Sequence, residues 1–417
     1  MAAAEPALTQ DIQSAGPPAN TRWLRLALIF LAGVAAATHT GKVPPALPFL
    51  RPELEMSLVQ AGWLIGLISV IGAFGGVAFG VFSDRFTHRN SMLLGLFCIT
   101  VGSLLGASAQ SGEMLLVTRA VEGFGVVLTA ICGTPMIFRA VSPQDHRFAF
   151  GLWGCWYPTG ITVLMLLAPW VIVDAGWRTG WLVASGISAL CFVLLAWETR
   201  GMNRVQAQAA GARPSKAGFL EAVRAPGGWL LGGIFGFYAM TYLAVFGFLP
   251  TFLVEQLGTD PSSAILLTAL AVFANSGGNL TSGWIARRAS LIRWLTIFCG
   301  LAIMGLSGFL IYQTTFPAWA RYLAAIIMSF SGGFVPSTIF GWIPSFAPKP
   351  ALVGTISGIV VQCSMIGQVV GPPALAFAVG YFGWGVSPWF VVVSCLIPMS
   401  FALALGVLER RRKATAA

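Results

Sequence analysis

Windows of about 20 mainly apolar residues recur along the whole chain, and that recurrence leaves few folds open. Lipid offers the backbone no hydrogen-bond partner, so a chain built this way must cross the bilayer as helices that satisfy their own N–H and C=O groups. Twelve spans are predicted, at 23–49, 57–82, 91–109, 113–138, 148–173, 179–197, 228–254, 262–285, 294–313, 319–343, 351–380 and 387–408. Of 417 residues 57% are hydrophobic and 9% charged, where an average soluble domain has about 25% charged. The expected fold class is an all-α membrane protein of twelve transmembrane helices in two six-helix, pseudo-symmetric halves, embedded in the lipid bilayer.

The net charge of +10 is a topological signal. Of the 24 Lys and Arg, Arg51 and Arg178 fall in loops on one side and Lys42, Arg119 and Arg321 inside spans. The rest cluster on the other side, from Arg22 to Lys413. By the positive-inside bias both termini are expected in the cytoplasm, in an inner (plasma) membrane. That distribution argues against nucleic acid as a partner. The expected organisation is a disordered cytoplasmic tail at 1–21, an N-terminal half at 22–197, a cytoplasmic linker at 198–227, a C-terminal half at 228–408 and a second tail at 409–417. Leu26 to Ala37 has the apolar run of a signal peptide, but removing it would leave eleven spans and invert the basic C-terminus. All seven cysteines fall inside predicted spans, as small buried side chains rather than disulfides or metal ligands.

The two halves share a thin internal repeat. At an offset of 202, Leu47-Pro48 falls on Leu249-Pro250, Gly75-Gly76 on Gly277-Gly278, Arg85 on Arg287, Arg119 on Arg321 and Phe138 on Phe340. Span 2 carries Gly62, Gly66, Gly72, Gly76 and Gly80, and span 11 carries Gly354, Gly358, Gly367 and Gly371. Small residues at such steps let helix backbones approach closely, for static packing or for sliding. Pro44, Pro45, Pro48, Pro158, Pro169, Pro336, Pro372 and Pro373 interrupt spans and are expected to bend them.

Between spans 2 and 3 runs Gly80-Val81-Phe82-Ser83-Asp84-Arg85-Phe86-Thr87-His88-Arg89. This loop resembles the Gly-x-x-x-Asp-Arg-x-Gly-Arg-Arg/Lys pattern of major facilitator superfamily transporters, with Thr87 in the place of a Gly and His88 in the place of an Arg. Arg119-Ala120-Val121-Glu122-Gly123-Phe124-Gly125 is similar to the family's fourth-helix pattern Arg-x-x-x-Gly-x-Gly, whose Arg the resemblance ties to proton coupling or cavity electrostatics. The first five spans also resemble, weakly, the cyanate and 2-nitroimidazole transporter group, at Gly41 to Pro48, Gln60 to Trp63, Gly151 to Gly154 and Tyr157 to Gly160. The antiporter pattern Gly-x-x-x-Gly-Pro is broken in span 5, where Tyr157 precedes Pro158. The resemblance implies a transporter without cofactors and gives Gly80, Asp84, Arg85 and Arg89 a gating role.

A charge at the helix centre costs about 2.5–3.5 kcal/mol on insertion scales, so intramembrane charges are functional candidates. His39 and Lys42 lie three apart and project on one face of span 1; Arg119 and Glu122 do the same in span 4. Arg321 holds the repeat-related place in span 10. Each has a plainer reading: Lys42 snorkelling past Pro44 and Pro45, His39 as a packing residue, Arg119 and Glu122 as a structural pair. Taken as a site, Lys42, Arg119 and Arg321 against Glu122 leave the interior positive, which suits an anion. Trp153, Trp156, Tyr157, Tyr238, Tyr242, Asn275, Asn279, Gln362 and Gln368 are expected to add aromatic walls and hydrogen bonds.

No Gly-x-x-x-x-Gly-Lys-Ser/Thr loop is present, so ATP is not expected to drive the process directly. An anion moving into a negative interior works against about 2.3 kcal/mol per 100 mV, which calls for an accompanying proton, with Glu122, Arg119 and His39 as the coupling residues. The expected function is secondary active transport of a small anionic solute by a monomer, as a proton symporter. Drug/proton antiport is the alternative, and a membrane enzyme or transporter-like sensor a remote one, since no metal cluster and no nucleophile with a base stand out.

Overall fold

The computed structural model describes residues 18–75, 87–200, 216–288, 293–349 and 352–416. Among the described residues, twelve helices long and apolar enough to cross a membrane run over Trp23–Glu53, Leu58–Gly75, His88–Ala107, Gly112–Ala140, Trp156–Asp174, Trp177–Glu198, Pro226–Leu257, Pro261–Ile285, Arg293–Ile311, Ala318–Phe346, Val353–Phe382 and Trp384–Arg410. They are spans 1 to 12 in chain order. Their outer faces carry exposed Phe97, Leu104, Leu190, Leu306 and Val393, as lipid-facing surfaces do.

The packing repeats from one half to the other. In the first half span 1 lies on spans 5 and 6, and span 3 on spans 4 and 6; in the second, span 7 lies on spans 11 and 12, and span 9 on spans 10 and 12. The halves meet where the later part of span 1 packs on span 7, span 2 on span 11 and span 5 on span 8. Among the described residues, these contacts include the end of the bundle away from the two termini. Arg51 and Glu255 pair across the halves there at 2.5 Å.

Glycines shape this seam. A Cβ on Gly62 would stand 2.8 Å from the Pro372 carbonyl, and one on Gly66 2.8 Å from that of Val369. Gly62 and Gly66 are therefore pressed on the backbone of the opposite half, while Gly76 and Gly80 lie outside the described residues. Span 11 divides its glycines differently from the expected continuous stripe. Gly367 and Gly371 meet the backbone of span 7 within their own half, whereas a Cβ on Gly354 or Gly358 would meet nothing within 4 Å.

Two predicted elements are interrupted. Span 1 is two helical pieces, Trp23–Gly41 and Val43–Glu53, broken at Lys42. Pro44 and Pro45 have no N–H to give to Thr40 and Gly41, so the ladder fails beside the lysine. The span predicted at 148–173 starts as a separate short helix, His146–Gly154, followed by Trp156–Ala168 and a π-helical turn that begins at Pro169. Residues 1–17 lie outside the described residues. Thr21, inside the expected tail, bonds Ser142 at 3.0 Å and also Asp145, so packed structure begins before the expected boundary. Within the linker a helix, Lys216–Arg224, is tied to the segment between spans 10 and 11 by Lys349 and Glu221 at 2.8 Å.

Candidate functional site

Four of the five intramembrane charged or titratable candidates converge in one dry cluster between spans 1, 3, 4 and 6. His39, Lys42 and Glu122 are 0% exposed and Arg119 1%. The three-residue spacings deliver each pair on one face, and Gly102 makes room, since a Cβ there would stand 2.9 Å from the Glu122 side chain. Lys42 Nζ donates to Glu122 Oε1, to Ser103 Oγ at 2.7 Å and to His39 Nδ1 at 3.3 Å. Its ammonium also lies 4.6 Å from the centre of the Trp181 ring, a cation–π contact.

The hydrogen bonds assign the protons. Ser103 Oγ donates to the Trp181 carbonyl at 2.7 Å, so it accepts from Lys42. Ser188 Oγ donates to the Ala184 carbonyl at 3.0 Å, so it accepts from His39 Nε2 at 2.7 Å. With Nε2 donating to Ser188, His39 Nδ1 is left to accept from Lys42, an assignment of roles that satisfies every partner. On the far side, Arg119 Nη1 reaches Glu122 Oε2 at 2.5 Å and Nε the Leu64 carbonyl at 3.0 Å. Span 2 turns 3₁₀-helical at Leu67–Ser69, which turns that carbonyl out of the ladder. Nη2 of Arg119 is buried without a hydrogen-bond partner among the described residues. Two basic side chains share one carboxylate, a formal excess of one positive charge.

Arg321 does not join it. It stands in the first turn of span 10, its backbone N–H on the Pro317 carbonyl at 3.3 Å, with Nε and Nη1 buried and unpartnered. Repeat position alone misplaces it, because span 10 starts at Ala318, later than a strict offset from Gly112 requires.

The uncharged candidates form a second, central layer where the halves touch. Gln368 Oε1 accepts from Ser69 Oγ at 2.8 Å and from Tyr157 Oη at 3.4 Å, joining three spans across the seam. Asn275 Nδ2 donates to Tyr238 Oη at 3.0 Å and to the Ser329 carbonyl at 2.9 Å. Asn279 Nδ2 donates to Asn275 Oδ1 at 3.0 Å, and Tyr242 meets Ser329 Oγ at 3.2 Å. Trp156 stacks on Trp153 at 5.5 Å. Two candidates fall outside the layer. Trp153 packs on Gly33 and Gly133 inside the first half, and Gln362 donates to the Ala73 carbonyl at 2.8 Å, holding span 11 to span 2.

Of the loop residues, Gly80, Asp84 and Arg85 lie outside the described residues. Arg89 binds span 6, donating to Thr199 Oγ1 at 2.8 Å and the Ala196 carbonyl at 3.2 Å. These bonds are within one half and cap the end of a helix. The polar residues not foreseen, Ser69, Ser103, Ser188, Ser329 and Trp181, are hydroxyls and an indole in apolar helices that no motif or spacing marks out.

A twelve-helix bundle in two equivalent halves, with a buried charge cluster and a polar layer at the seam, defines a polytopic membrane transporter. The major facilitator superfamily profile matches residues 28–372, and the chain belongs to that family; it is a transporter and not an enzyme. It is 25% identical to the "Probable nitrate/nitrite antiporter NarK1" of Thermus thermophilus, over 82% of each chain. It is 23% identical to the cyanate transport protein CynX of Escherichia coli K12, over 88% of each, and 22% identical to a D-galactonate transporter of Escherichia coli O6:H1, over 95% and 98%. Among solved structures, a bacterial homolog of the human lysosomal transporter Spinster, inward-facing and unoccupied, superposes with a TM-score of 0.73 at 19% identity, over 92% of this chain and 96% of that one.

Proposed function

We propose that this transporter carries a small organic or inorganic anion across the inner membrane by alternating access, coupled to protons, as a monomer with both termini in the cytoplasm. The observation that carries the reading is the surplus charge of the cluster. A desolvated cation without a counter-ion is costly, and a bound anion near the unpartnered Arg119 Nη2 offsets that cost. Relatives named for nitrate, cyanate and D-galactonate support the anion class. Cross-half contacts at the end away from the termini, such as Arg51–Glu255, support reading this arrangement as inward-open.

Coupling follows from the double hold on Glu122. While Lys42 and Arg119 both grip the carboxylate it has no use for a proton. When substrate draws Arg119 away, one oxygen is released and a proton takes the vacated place. In proteoliposomes, Glu122→Gln is expected to keep substrate counterflow and lose accumulation driven by an acid-outside gradient. Accumulation that still follows the gradient in this variant contradicts the coupling. Lys42→Gln, which cancels the surplus charge, is expected to weaken anion counterflow at least tenfold. Normal anion counterflow in a well-expressed Lys42→Gln protein removes the anion reading.

A further inference from the structure

We propose that the preferred substrate is a planar aromatic monocarboxylate rather than an inorganic anion or a sugar acid. The inference rests on the anion reading above and names the body of the molecule that carries the charge. The site has two unlike poles. The charged pole lies wholly in the first half and ends at the free Nη2 of Arg119. Arg119 holds the Leu64 carbonyl of span 2, and further along that span Ser69 meets Gln368 of the second half, to which Tyr157 also donates at 3.4 Å, so Tyr157 stands at the seam beside the span that Arg119 holds.

The second pole is aromatic and uncharged. Along span 7, Phe235, Tyr238, Tyr242 and Phe246 form a continuous ladder, with centroids 5.9, 5.7 and 4.7 Å apart in turn. From the first half, Trp156 meets Tyr157 edge to face at 5.2 Å. Tyr157 and Tyr242 are only partly buried although they sit at mid-bundle, so each keeps open surface to offer a ligand. The Tyr238 hydroxyl is engaged by the Asn275 amide and the Tyr242 hydroxyl by Ser329, so what the partly buried Tyr157 and Tyr242 leave open is largely ring surface. A polyhydroxylated anion needs many free donors and acceptors, and this pole has few. An inorganic anion uses the charge and ignores the ladder. A carboxylate on a flat ring uses both, because aromatic rings stack with a gain beyond area alone.

The test is direct binding to the full-length protein in nanodiscs, by calorimetry, with benzoate, cyclohexanecarboxylate, acetate, nitrate and benzamide as probes. Benzoate is expected to bind several-fold to about tenfold tighter than cyclohexanecarboxylate, tighter still than acetate and nitrate, with benzamide silent. Tyr238→Leu is expected to erase the advantage over cyclohexanecarboxylate, and Tyr238→Phe, which keeps the ring, to retain it. Equal binding of benzoate and cyclohexanecarboxylate, or of benzoate and nitrate, overturns the aromatic class and leaves the anion reading intact. Benzamide binding as well as benzoate overturns both, as does silence of every anion.

Discussion

Thr87 occupies a place where the family's loop pattern has a glycine, yet its backbone keeps a conformation that suits glycine. Its φ is 67°, a left-handed value that a β-branched side chain adopts only under strain of about 1–3 kcal/mol. Thr87 compensates in part by capping span 3, its Oγ1 accepting from the Asn90 N–H at 3.3 Å. Thr87→Gly is therefore expected to stabilise the protein by about 1 kcal/mol once the entropy of glycine and the lost cap are subtracted. A rise in the thermal midpoint checks this, and Thr87→Val, which keeps the strain and drops the cap, is expected to lower it. Legibility in the sequence was uneven at this scale. The three-residue spacings put His39 with Lys42 and Arg119 with Glu122, but only packing could bring the two pairs to one carboxylate. Ser103 and Ser188 set the proton assignment, and a lone serine in an apolar helix carries no spacing to read.

At the scale of the element, helices were legible and their joints were not. Hydropathy locates a span because desolvation acts on the whole window, whereas the break at Lys42 depends on Pro44 and Pro45 acting on two particular carbonyls. The loop cations hid a similar detail: Arg51 and Arg178 both mark the same face, but Arg51 crosses to Glu255 while Arg178 pairs with Glu53 in its own half. The Arg51–Glu255 pair is the one that must part if that face opens. It is partly exposed, at 23% and 37%, so its worth is modest, about 1 kcal/mol or less. Arg51→Glu is expected to place like charges together and raise the modification of cysteines introduced on that face. The double change Arg51→Glu with Glu255→Arg is expected to return the modification rate to that of the parent, and a double variant as open as the single one would show that the pair does not hold the halves.

For the molecule as a whole, two equivalent bundles meeting along glycine-faced helices make a closure that depends on backbone contact. Gly62→Val puts carbon where the Pro372 carbonyl lies, so spans 2 and 11 cannot approach as they do here. The expected outcome is a population shifted away from this arrangement, read as longer distances between spin labels on spans 1 and 7 at the Arg51 end. Unchanged distances mean the seam yields elsewhere. The internal repeat foretold paired halves because equivalent helices need equivalent packing surfaces. It could not show which end was closed, since that is a relation between halves and not a property of either.

The surplus charge of the cluster has an electrical consequence under alternating access. The cluster belongs to one half, so under that mechanism it travels with that half as a unit. When access switches sides, the voltage drop moves from one side of that charge to the other, although no atom crosses the membrane. The empty carrier thus behaves as a gating charge of up to about one unit, worth about 2.3 kcal/mol per 100 mV, while a bound monoanion cancels it. Membrane potential is then expected to act on the return of the empty carrier and to leave the loaded step nearly untouched. Charge displacement recorded on a supported membrane without substrate, and its suppression by a saturating anion, is the signature to look for.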